Sequence, residues 1–260
     1  MIFGVDYYPE HWNRDEWESQ AKLMQKVGFN TVRMGEFAWK LFEKKEGEFD
    51  FSFLDDAIEI LAEYGIKTIL GTPTAAPPKW LADKYDIVTA ELIINLPCYD
   101  VWIILVMFRR FSSDTWVNYQ KMQIDILRKY TDNPITHNLM GHFSDINAYD
   151  LSKDLDFVSW DNYPDNQWGT SEYEYVSMAH ENMRGAKNKN FVVMEEQAGP
   201  AGWDILGSTP RPNQLRLWTY QAIAHGCEGV VYFRFRTALF GMEQYWYGVL
   251  DHDGVPRRRF

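Results

Sequence analysis

The chain has 260 residues, a formal net charge of -11, 46% hydrophobic and 24% charged content, and a length that suits one eight-stranded α/β barrel domain. That charge excludes an extended phosphate-binding face, because nucleic-acid affinity rests on Lys and Arg clusters, so no nucleic-acid partner is expected. No apolar run approaches the ~20 residues that cross a bilayer, and Cys98 and Cys227 are too few for a disulfide framework or a tetrahedral zinc site, so neither a membrane nor a metal is expected.

The chain opens on a strand-like segment instead of a basic and apolar leader, which makes the cytoplasm the expected location. Ile2 to Tyr8 reads as a first strand that stops at Pro9, and a helical stripe from Arg14 to Val27 ends at Gly28. Phe29 to Gly35 is a second strand, Phe53 to Tyr64 a second helix closed by Gly65, and Ile66 to Gly71 a third strand. Between Asp86 and Phe108 two apolar runs, Leu92 to Ile94 and Val101 to Phe108, are split by Pro97-Cys-Tyr-Asp100. One of them is the expected fourth strand, and uninterrupted apolar character favours Val101 to Phe108 as a parallel strand buried on both faces. A helical pattern returns from Ser113 to Tyr130, followed by strands at Ile135 to Gly141, Leu155 to Tyr163, Phe191 to Glu196 and Gly229 to Phe235, with helices at Tyr173 to Ala186 and Asn213 to His225. Strand and helix alternate as a parallel sheet requires, which predicts an α/β fold, a (β/α)8 TIM barrel over residues 1–260. It is expected to be incomplete around the fourth strand, with an anomalous segment at 88–107, and to lack the last helix. The outer face of its first and eighth strands would then be partly exposed or covered by another chain, as in a homo-oligomer.

The stretch Phe191-Val-Val-Met-Glu-Glu-Gln-Ala-Gly-Pro-Ala-Gly-Trp203 carries the first chemical signal. Two adjacent carboxylates close a short buried strand, at the end where a parallel barrel gathers its catalytic groups. Successive strand residues face opposite ways, so only Glu195 or Glu196 can point into the mouth. A content of 11 Trp among 16% aromatic residues suits a pocket that stacks on sugar faces, although core packing uses such residues too.

Several motifs, in order, resemble glycoside hydrolase family 42, the β-galactosidases: Gly4-Val-Asp-Tyr-Tyr-Pro-Glu-His-Trp12, Arg33-Met-Gly-Glu-Phe-Ala-Trp39, Gly71-Thr-Pro-Thr-Ala-Ala-Pro-Pro-Lys-Trp-Leu81, Asp156-Phe-Val-Ser-Trp-Asp-Asn-Tyr-Pro164 and Leu250-Asp-His-Asp-Gly254. The resemblance covers residues 1–88 and 107–260. It implies a retaining enzyme, free of cofactors, that cleaves terminal β-D-galactosides with two glutamates. One carboxylate attacks the anomeric carbon, and a second carboxyl, about 5 to 5.5 Å away, protonates the leaving oxygen and later activates water. In the family the nucleophile follows Met and precedes a Trp by eight positions, which maps onto Glu195, with Trp203 as a wall of the galactose pocket. Arg33 resembles an arginine beside the nucleophile, where a fixed cation favours an ionised carboxylate. Tyr163, at the end of its strand, is a hydrogen-bond donor to the nucleophile or a packed aromatic. Glu243 and Trp246 lie in a loop resembling one that contacts sugar hydroxyls, with a plain surface position as the alternative. Glu36 reads as structural, and His137, Asn138 and Asp161 read equally as braces of the barrel mouth or as substrate contacts.

One departure from the family is large. The acid/base glutamate of the family stands in an Asp-Asn-Glu run at the end of the fourth strand, and no such run occurs in this sequence. If Leu92 to Pro97 is the degenerate strand, Leu96 stands where the glutamate belongs; if Val101 to Phe108 is, Arg109 and Arg110 do. The expectation is a β-galactosidase-type glycosidase with an unidentified acid/base, or a barrel that binds galactosides without turning them over.

Overall fold

The computed structural model describes residues 1–74, 76–85, 101–164, 172–201 and 207–260. Its strands are β1 (Ile2–Asp6), β2 (Thr31–Met34), β3 (Lys67–Leu70), β4 (Asn138–Leu139), β5 (Val158–Asn162), β6 (Phe191–Gln197) and β7 (Cys227–Phe233). Its helices are α1 (Arg14–Lys26), α2 (Trp39–Phe42), α3 (Ser52–Glu63), α4 (Lys79–Lys84), α5 (Val101–Leu127), α6 (Ala148–Ser152), α7 (Glu172–Lys187) and α8 (Gln214–Ala224). The strands follow the order β3-β2-β1-β7-β6-β5-β4 in one sheet, and β1 pairs in parallel with both β2 and β7. This is the strand-and-helix alternation of the (β/α)8 TIM barrel class, with seven strands among the described residues.

The expected fourth strand at Val101 to Phe108 is not a strand. Those residues form the first turns of α5, continuous with the helix expected only from Ser113. Val106, Met107 and Phe108 are 63%, 65% and 47% exposed, the opposite of burial on both faces. The physical reason is that an eight-residue apolar run fits helix and strand equally by length, and no Gly or Pro separates it from the helical pattern downstream. The other candidate, Leu92 to Ile94, lies outside the described residues.

The chain divides into two compact units: Met1–Thr89, Glu195–Leu215 and Gly229–Phe260 in the first, Ala90–Met194 and Arg216–Glu228 in the second. In the first, α1 buries Trp17, Gln20, Ala21 and Met24, and α3 buries Leu54, Ala57 and Leu61, each at the 3.6-residue spacing of one helix face. These faces join Val5, Val32, Met34 and Phe42 in one apolar cluster. Each fully buried Leu or Met contributes roughly 1.5–3 kcal/mol. Phe3 and Tyr232, on the adjoining strands β1 and β7, stay half-buried and pack on Phe29.

In the second unit α7 buries Val176, Ala179, His180 and Met183. His180 lies edge-on to Trp160 of β5 and stacks on Phe191 of β6. Burial, then the neighbouring His225, holds the His180 ring down at about 3, so it packs as a neutral aromatic.

The fit of β1 against β2 has a sharp steric test. A Cβ added at Gly4 would stand 2.3 Å from the Thr31 carbonyl oxygen, a backbone atom that cannot rotate away. Gly4→Ala is expected to cost about 2 kcal/mol or more, read as a lower urea midpoint; an unchanged midpoint would refute this close approach.

Candidate active site

Asp6 and Arg33 end adjacent parallel strands and are register partners. The Arg33 guanidinium draws three carboxylates together: Nη1 donates to Asp6 Oδ1 at 3.1 Å and to Glu195 Oε1 at 2.6 Å, and Nη2 stands 3.2 Å from Glu36 Oε1. Tyr8 donates its hydroxyl to the same Glu36 oxygen at 2.9 Å. The Asp6 side chain is fully buried, while those of Arg33, Glu36 and Glu195 keep 11%, 11% and 15% exposure, enough to face an incoming ligand. Burial works to lower the Arg33 pKa, but Asp6, Glu36 and Glu195 outweigh it and hold the cation above its ordinary value. Burial, reinforced by Glu36 and Asp6, raises the Tyr8 phenol well above its usual range, so it remains a donor. The pleat of β6 separates the two candidate glutamates, and it is Glu195 that meets Arg33, while Glu196 is fully buried.

A second charged group forms around Arg234, which directly follows β7 and is 1% exposed. Its Nη1 donates to Glu243 Oε2 at 3.2 Å, its Nη2 to His11 Nδ1 at 2.8 Å, and its Cζ lies 4.2 Å from the centre of the Tyr8 ring. Burial, followed by the charges of Arg234 and Lys40, holds His11 down at about 4. The ring is therefore neutral at pH 7, with Nδ1 free to accept and the proton on Nε2. Glu243 sits in a single 3-10 turn, Met242–Tyr245. Partial burial is the main influence raising its carboxyl pKa; Arg234 pulls it down, while Glu195 and Glu36 push it further up. The chain after this turn is pinned by Val249 N–H donating to the Arg234 carbonyl and Leu250 N–H to that of Phe235, both at 2.7 Å. Gly248 is required there, since a Cβ would stand 2.3 Å from the Arg234 carbonyl oxygen.

Of the residues singled out by sequence, Arg33 and Glu195 are brought into contact, and Glu243 lies within electrostatic reach of Glu195. Trp246 packs edge-on against Phe233. Tyr163 directly follows β5 in the second unit and is 6% exposed. Trp203 lies outside the described residues. Asn138 donates to Asp161 at 2.8 Å and His137 Nδ1 pairs with Gln120 Oε1 at 2.7 Å, the bracing contacts that were one of their two expected roles. Sequence reasoning missed Asp6, Tyr8, His11 and Arg234 and undervalued Glu36. The available signal was Gly4, Asp6 and Tyr8 alternating along one segment, which puts the acid and the phenol on one face.

The family model described as beta-galactosidase, that of glycoside hydrolase family 42, matches residues 6–91 and 102–260, and the chain belongs to this family. It is 34% identical over 364 positions to beta-galactosidase BgaA of Clostridium cellulovorans, covering 100% of this chain and 55% of that protein. It is 31% identical over 377 positions to beta-galactosidase BgaH of Haloferax lucentense, covering 100% and 57%. The solved beta-galactosidase from the Antarctic haloarchaeon Halorubrum lacusprofundi superposes with a TM-score of 0.89 at 29% identity, covering 100% of this chain and 56% of that one. The chain thus spans little more than half the length of these relatives. The alignments run well beyond this chain's 260 residues, so the relatives carry additional residues inside the matched stretch. The family model passes over residues 92–101, within the segment expected to be anomalous.

Glu10 gives this region a pH signature. Both of its carboxyl oxygens are buried without a hydrogen-bond partner among the described residues, and burial pushes the carboxyl up to about 7, with its own backbone N–H, Arg234 and Lys40 pulling down and Glu36 pushing up. A carboxyl raised in the folded state stabilises below its unfolded pKa, and that contribution is lost as pH rises through the folded value. Between about pH 4.5 and 7 the protein should lose stability on the order of 2–3 kcal/mol from this group. Glu10→Gln is expected to flatten that decline. Melting temperatures from pH 5 to 8 check it, and equal slopes for both proteins would refute it.

Proposed function

We propose that this chain is a retaining β-galactosidase acting on terminal non-reducing β-D-galactosides, with Glu195 as its nucleophile. The observation that carries this reading is the 2.6 Å contact of Glu195 with Arg33 at the end of β6, in a chain of the β-galactosidase family. Arg33 orients the Glu195 carboxylate for attack on the anomeric carbon. Glu243 and Trp246 bind the sugar, and Trp203 and Tyr163 complete the substrate-binding set. The sequence has no Asp-Asn-Glu run to supply the family's acid/base, so glycosylation by an unactivated galactoside and hydrolysis of the glycosyl-enzyme are the impaired steps. Retention of galactoside binding without turnover is the second reading, favoured by that same absence.

A dinitrophenyl β-galactoside separates these readings, because its leaving group departs without a proton. The protein is expected to be glycosylated rapidly and deglycosylated slowly. Azide, a nucleophile that needs no base, should accelerate turnover and yield the β-galactosyl azide, the configuration that two inversions produce. Glu195→Gln should lower glycosylation by about three orders of magnitude or more with or without azide, and Glu196→Gln should largely retain it. Absence of glycosylation alongside measurable galactoside binding would establish the second reading. Normal lactose hydrolysis unaffected by azide would mean that an acid/base is present.

A further inference from the structure

We infer that Arg234 is a positioning residue of the galactoside site, which with His11 and Tyr8 fixes the direction in which Glu243 presents its carboxylate to the sugar. The inference rests on the sugar-binding role proposed above for Glu243.

Glu243 starts from an unfavourable position for precise recognition. It lies on a four-residue 3-10 turn, and its side chain is 37% exposed, so a defined rotamer must be imposed from outside, at an entropic cost otherwise met on binding. Arg234 is suited to impose it, being buried, with its cationic carbon over the Tyr8 ring and one arm held by His11 Nδ1. Once those contacts are made, the planar fork leaves Nη1 aimed at Glu243. The constraint is mutual, because a desolvated cation needs a countercharge, and Glu243 is the carboxylate within ion-pair distance among the described residues. The hydrogen bond engages Oε2, and the other oxygen, Oε1, makes no protein hydrogen bond among the described residues, which leaves it to accept from a sugar hydroxyl. The neutral state of His11 belongs to the same device: an imidazole accepting from a guanidinium at 2.8 Å cannot also carry a proton on that nitrogen.

The test measures binding of the non-hydrolysable isopropyl β-thiogalactoside by calorimetry and single-turnover glycosylation by the dinitrophenyl galactoside. Arg234→Gln and Glu243→Gln should each weaken thiogalactoside binding about tenfold, a larger change than either makes in the glycosylation rate at saturation. The double variant should bind no worse than the weaker single one, since the two residues act as one unit. Multiplying losses would show that Arg234 acts independently of Glu243, and unchanged affinity in Arg234→Gln would remove its role; either result overturns the inference alone. A wild-type protein that neither binds the thiogalactoside nor becomes glycosylated would overturn the functional reading together with it. Should Arg234→Gln fail to fold, His11 provides the second arm. His11→Ala should weaken binding about three- to tenfold, again more than it changes the glycosylation rate. His11→Asn, whose side-chain oxygen can accept the same hydrogen bond, should recover most of that loss. Equal affinities for the two His11 variants would refute the arrangement.

Discussion

The candidate site depends on one guanidinium answering three carboxylates. Arg33 holds Asp6, Glu36 and Glu195 on its two terminal nitrogens, and none of these side chains is more than 15% exposed. Removing the Arg33 guanidinium would leave three largely buried carboxylates without their cation, a loss on the order of 3–5 kcal/mol. The same interaction therefore constrains fold and chemistry. It ties the ends of β1, β2 and β6 to common geometry and leaves Glu195 oriented by a cation that cannot lose its proton.

A second constraint is steric. The segment that carries Glu243 returns to the end of β7 through backbone hydrogen bonds from Val249 and Leu250, and it passes so close to Arg234 that Gly248 has no space for a side chain. Gly199 plays the matching part on the loop after Glu195: a Cβ there would lie 2.8 Å from Tyr247, whose N–H donates to the Pro200 carbonyl. Both acidic residues thus sit beside backbone packed at van der Waals contact. Side-chain charges set the direction of each carboxylate, and the glycines set how far the chain beneath can shift.

Glycoside hydrolysis with retention needs two carboxyl groups with opposite proton states. Glu195 is matched by Arg33, while the raised carboxyls of Glu10 and Glu243 arise from burial and from neighbouring acids. Of the two apolar runs read as the strand that would carry the second carboxyl, Val101 to Phe108 belongs to a helix, α5, and Leu92 to Ile94 lies outside the described residues.

Much of the fold was legible in the sequence because its signals are local. The helical spacing of Trp17, Ala21 and Met24, the glycines after α1 and α3, and the apolar run ahead of Glu195 each follow from a few neighbouring residues. The Met-Glu pair with its flanking motifs also distinguished Glu195 from Glu196 by family resemblance. What the sequence could not decide was non-local or degenerate. Val101 to Phe108 has the composition of a buried strand and the continuity of a helix, and only the tertiary structure resolves that tie, in favour of α5. Asp6, Tyr8 and His11 stand more than 220 positions from Arg234 or within 30 of Arg33, with no pattern to announce either partnership. They acquire their roles because parallel strands bring sequence-distant ends side by side, and at such ends a buried charge must find its partner across the sheet.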